Sequence, residues 1–90
     1  MYNILPYSYQ QAEFLGYQIK PSNNPDKKID VYKNNKFITS IGNTQYSDFP
    51  HYVLSHGLEY AKKRRDLYKR RHYKDILVGS RGWLASNILW

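Results

Sequence analysis

At 90 residues the chain has the length of one small domain, and such a chain buries only roughly 60 to 65 % of the surface its unfolded form exposes. Fourteen Lys or Arg against seven Asp or Glu give a net charge of +7 and a pI near 9.7, which points to nucleic acid, an anionic membrane or an acidic protein as partner. The absence of Cys excludes disulfides and Cys-based zinc sites, and no apolar run approaches the roughly 20 residues of a membrane span.

The opening "MYNILPYSY" lacks the basic start and long apolar middle of a signal peptide, so a soluble, intracellular protein is expected, with no membrane partner. Aromatic residues make up 17 %, including ten tyrosines, more than a disordered basic tail carries, so a packed core is expected as well. Ser8 followed by "YQQAEFLGYQI" reads as a capped helix with Ala12 and Leu15 at helical spacing and Gly16 as its C-cap. "KPSNNPDKK" has the composition of an extended loop, so residues 1–28 comprise an N-terminal helix and a loop.

Residues 29–49 read as a β-hairpin. Ile29, Val31, Phe37, Thr39 and Ile41 alternate with polar residues on either side of Asn34-Asn35, a pair that tolerates positive φ in a tight turn. A hairpin alone is marginal in water, so a third short strand or a helix laid across its apolar face is needed.

Residues 50–90 read as helical. Asp48 is a candidate cap and Pro50 suits a first turn, while Gly57 can delay the helix start to Leu58. At 100° per residue, Leu54, Leu58, Ala61, Arg65, Tyr68, His72 and Ile76 fall within one arc of roughly 80°, the expected buried stripe. The opposite side of this long basic helix carries Lys63, Arg64, Arg70, Arg71 and Lys74, with Lys69 nearby. The closing "WLASNILW" reads as a short helix whose Trp83 and Trp90 dock on the protein's own Leu67 flank, on a second copy in a homo-oligomer, or on another partner. The sum is a small α+β domain.

The stretch from Glu59 to Asp75 holds eight cations and three acids, with three tyrosines and a histidine among them. Cations neutralise phosphates and neighbouring aromatic rings stack on unpaired bases, so Lys63, Arg64, Lys69, Arg70, Arg71 and Lys74 are the candidate nucleic-acid contacts. A solvated basic face, or one that docks on an acidic protein, is the competing reading. Arg65, Tyr68 and His72 lie inside the apolar arc, where an Arg needs a carboxylate; with Asp48, or alternatively Asp30, they are expected to form a polar tether between helix and hairpin.

His51, His56 and His72 match no compact metal pattern, so neither a metal nor a cofactor is expected. "GSRG" has the outline of a phosphate-clamping loop but reads better as a turn between helices. Ser80 has no evident His and Asp partners, and no paired carboxylates suggest acid-base chemistry, so the chain does not read as an enzyme.

Taken together, "LGYQIKPSNNPDKKIDVY", "ITSIGNTQYSDFPHYV", "GLEYAKKRRDLYKRRHYKD" and "GSRGWLASNILW" resemble a family of small, uncharacterised basic proteins encoded by giant DNA viruses of protists and algae. The resemblance rests on Gly42, Tyr46, Asp48, Pro50, Tyr52, Glu59, Tyr60, Ala61, Arg64, Arg65, Tyr68, Arg71, His72, Asp75, Gly82, Ala85, Leu89 and Trp90, with Trp83 where Tyr fits the pattern. No activity comes with it. What it implies is a viral setting, the virion or the viral factory in the host cytoplasm, in which a small basic domain binds the genome or core. Its alternative is a minor capsid protein that docks on acidic viral proteins through the Trp-containing helix and the basic face.

Overall fold

Asn34 and Asn35 take φ of 52° and 64°, and this left-handed pair joins β2 (Lys27–Lys33) to β3 (Lys36–Asn43) in the expected hairpin. The computed structural model describes residues 1–74 and 77–90; Asp75 and Ile76, which belong to the resemblance and to the helical arc, lie outside the described residues. The third strand exists, and it comes from the segment expected to be loop. β1 (Gln18–Pro21) pairs antiparallel with β2, from Gln18 opposite Tyr32 to Pro21 opposite Ile29, giving the sheet order β1-β2-β3. Only residues 22–26 remain as a turn, held by Ser22 and Asn24 side chains that accept from the Asn24 and Asp26 amides.

The hairpin register shifts once. Val31 opposes Thr39 but Tyr32 opposes Phe37, so Ile38 is an extra residue in β3 and the alternation flips beyond it. Phe37 was expected on the buried face and is instead 57 % exposed, its ring edge-on to Tyr32 at 5.7 Å.

The N-terminal helix α1 (Pro6–Leu15) begins before Ser8, with Pro6 in its first turn, so Ser8 is not its cap. Ser8 is buried and its hydroxyl donates to the Ile88 carbonyl at 2.8 Å. Gly16, at φ 86°, ends the helix as expected.

The basic segment forms two helices, divided at Gly57. Asp48 caps α2 (Phe49–His56) by accepting from the His51 amide, and Gly57, at φ 88°, separates it from α3 (Leu58–Arg71), which packs against it. The break interrupts the predicted arc. Leu54 and Leu58 are exposed, whereas Ala61 is buried and Arg65 and Tyr68 are half-buried.

The last helix, α4 (Arg81–Ile88), is capped by Ser80, whose hydroxyl accepts from the Trp83 amide, so "GSRG" is a helix start. Leu67, its expected docking partner, is exposed. Leu84 and Ile88, with the following Leu89, join Ile29, Val31 and Ile41 of the sheet and Ile4 and Ala12 in one buried cluster. Each large aliphatic side chain buried there contributes about 1.5 to 3 kcal/mol. Ser8, Gln11 and Tyr7 donate to the Ile88, Asn87 and Trp90 carbonyls, which fastens α1 along the chain's end. Among the described residues no helix is long and apolar enough to cross a membrane.

Candidate nucleic-acid interface

The charges of the molecule divide into a paired set and an unpaired set. Lys28 and Asp48 are both buried, and the Lys28 ammonium donates to Asp48 Oδ2 at 2.9 Å. Tyr2 donates to the same oxygen at 2.6 Å, and the His51 ring nitrogen Nδ1 lies 2.8 Å from Oδ1. Burial alone would raise the Asp48 pKa, but the Lys28 charge and the hydrogen bonds from Tyr2, Lys28 and His51 outweigh it and hold the carboxyl below its ordinary value. Burial first, and the Asp48 carboxylate second, push the Tyr2 phenol up.

Beside this pair, residues 42–47 and 52, α3 and the start of α4 enclose a cleft of about 530 Å³. Lys27, Arg64, Arg71 and Arg81 line it together with Tyr46, Tyr52, Tyr68 and Trp90. Among the described residues no Asp or Glu lines the cleft, and none of these four cations makes an ion pair with an Asp or Glu side chain. Arg64 rests over the Tyr52 ring, 5.4 Å from its centroid, with its buried Nε lacking a partner among the described residues. The Arg81 Nε donates to the Thr39 hydroxyl at 3.2 Å, which orients that side chain without neutralising it.

The aromatic wall is a stack. Trp90 lies parallel to Tyr68 at 4.5 Å, and Tyr68 to His72 at 4.2 Å, with Tyr52 tilted against Trp90 at 6.2 Å. Gly42 forms part of the floor at φ 83°. A Cβ there would come within 2.9 Å of Leu89 Cδ1 and of Lys28 Cδ, so the backbone approaches both only because the residue is Gly.

No family model, curated protein or solved structure matches this chain.

Of the six predicted contacts, Arg64 and Arg71 line the cleft and the others do not. Lys63 and Arg70 lie on the outer side of α3, both exposed, and Arg70 pairs with Asp66 at 2.8 Å. Lys74 is exposed just beyond the helix, its ammonium over the Tyr73 ring. Lys69 donates to the Ser86 carbonyl and hydroxyl, both at 2.6 Å, and so ties α3 to α4. Burial, and then the neighbouring Arg65 charge, lower its pKa.

The expected tether of Asp48, Arg65, Tyr68 and His72 is split. Asp48 is taken by Lys28, Tyr2 and His51, while the Arg65 guanidinium lies 4.1 Å from the Phe49 ring centroid and the alternative acid, Asp30, accepts from Ser40. Tyr68 and His72 belong to the cleft. Trp83 and Trp90 are half-buried against the protein's own core. The sequence pattern does not point to Lys27, Arg81 or Tyr46. Lys27 lies in a segment with loop composition, Arg81 in one that reads as a linking turn, and Tyr46 carries no helical phase that would aim it at α3.

Proposed function

We propose that the protein is a non-enzymatic nucleic-acid-binding protein that receives phosphates in the cleft between α3, the end of the hairpin and the start of α4. One observation carries this reading: four cations that make no ion pair with an Asp or Glu among the described residues converge on one concave site that no described Asp or Glu lines. Like charges gathered in this way repel one another, and an anion relieves that repulsion on binding. The aromatic lining favours a ligand with flat apolar faces over a bare acidic peptide.

The residues through which the chain resembles the giant-virus family support the same site. Gly42, Tyr46, Tyr52, Arg64, Tyr68, Arg71, His72, Gly82, Ala85, Leu89 and Trp90 all line the cleft. In the viral setting that the resemblance implies, the ligand would be the genome or its transcripts, in the virion or the viral factory. The alternative, a capsid protein docking through its terminal tryptophans, has less support, because Trp90 stacks on Tyr68 and its carbonyl accepts from Tyr7.

Fluorescence anisotropy with labelled single-stranded and duplex oligonucleotides tests the reading. With four phosphates neutralised on a single strand, affinity should fall about 50-fold between ~50 and ~200 mM salt. Absence of binding at ~50 mM salt, or an affinity flat with salt, would overturn it.

A further inference from the structure

We infer that the cleft takes an unpaired nucleotide, its base laid on the ring of Tyr46 and its phosphate held by Arg71, Arg81 and Lys27; this rests on the nucleic-acid reading above. Tyr46 is the exception among the aromatic residues lining the cleft. Tyr52, Tyr68 and Trp90 already lie against other rings, whereas Tyr46 has no ring or cation against its ring among the described residues and is 70 % exposed. It is nonetheless held in place. The Tyr46 amide donates to the Asn43 carbonyl, and the Asn43 side chain accepts from the Gln45 amide. Thr44 donates through its hydroxyl to the Pro25 carbonyl, which pins this loop to the turn between β1 and β2.

A large aromatic face kept in water on a braced loop, at the edge of a cationic cleft, is suited to stacking on a base. Paired bases inside a duplex do not offer their faces, so a duplex can reach this site only through its backbone. The cleft volume of about 530 Å³ is that of a small-molecule site and suits a nucleotide better than a helix of nucleic acid. An unpaired nucleotide comes either as a free monophosphate or within a single strand, and the chemistry of recognition is the same.

The test compares a labelled oligothymidylate, a labelled duplex of equal length and unlabelled thymidine monophosphate, using wild type, Tyr46→Ala and Tyr46→Phe. The single strand should bind more tightly than the duplex at equal salt. Tyr46→Ala should weaken the single strand by about 5- to 150-fold and leave the duplex unchanged, while Tyr46→Phe stays near wild type. Displacement of the oligonucleotide by the monophosphate would assign the cleft to free nucleotides; a Tyr46-dependent single strand that it does not displace would assign it to strands, and both outcomes uphold the inference. Wild-type protein that binds duplex as well as single strand, or a Tyr46→Ala loss that is equal for both or absent, would overturn this inference while the nucleic-acid reading stands. Failure to bind either oligonucleotide would remove both.

Discussion

Lys27 and Lys28 are neighbours in β2 and both line the cleft, yet only Lys28 is buried and paired with Asp48. Around Lys28 every charge is answered: the carboxylate takes the ammonium, the Tyr2 hydroxyl and the His51 ring and amide. Among the described residues Lys27 has no such partner, and Arg64, Arg71 and Arg81 add charge of the same sign. A folded chain has no structural reason to gather unanswered cations, since they destabilise the compact state by self-repulsion. Compensation therefore separates the charges that hold the fold from those left for a ligand, and mutations on the two sides should behave in opposite ways.

The largest effect is expected at Asp48. Asp48→Ala strands the Lys28 ammonium in the interior and removes the α2 cap, a loss of about 3 to 5 kcal/mol, much of the stability of a domain this small. Adding Lys28→Met to that variant should recover part of the loss in a urea melt. A double variant no more stable than the single one would mean that Lys28 is not the group left stranded.

Gly42→Ala probes the seam between the two regions. Its left-handed backbone and the contact with Leu89 and Lys28 should together cost about 2 to 4 kcal/mol in thermal denaturation, with nucleic-acid affinity falling as the floor shifts.

Acid should dissolve only the compensated side. Because the Asp48 pKa is depressed in the folded state, its contribution is present above the unfolded carboxyl pKa of about 3.9 and is lost as the pH falls below that value through the folded one. Melting temperatures of wild type and Asp48→Asn should converge over that window, and a gap that persists below it would argue against the ionic account.

On the uncompensated side stability should hardly change. Arg71→Ala is expected to shift it by less than about 0.5 kcal/mol, whereas Arg65→Ala, which loses the Phe49 ring, should cost about 1 kcal/mol.

The hairpin, the helical content and the C-terminal helix are legible in the sequence because their signals are local: Asn34-Asn35 for the turn, Asp48 for a helix cap, Ala61 and Tyr68 for one helical face. Phe37 was misplaced because the extra residue at Ile38 reverses the strand alternation, and no local pattern marks a bulge of that kind. An Arg in an apolar stripe demands a partner, and for Arg65 an aromatic face meets that demand in place of the expected carboxylate. The cleft was only half visible. Arg64 and Arg71 share a helix face and can be read from spacing, whereas Lys27, Tyr46 and Arg81 reach the same place only through the sheet register and the packing of α4.

The direct test of the central claim is the slope of log affinity against log salt for a single-stranded oligonucleotide, measured for wild type and two double variants. The account predicts that Arg64→Ala with Arg71→Ala, both in the cleft, makes the slope shallower by about 1.4, while Lys63→Ala with Arg70→Ala, both on the outer side of α3, leaves it within error of wild type. An unchanged slope in the cleft variant, with the loss appearing in the outer-face variant, would contradict it.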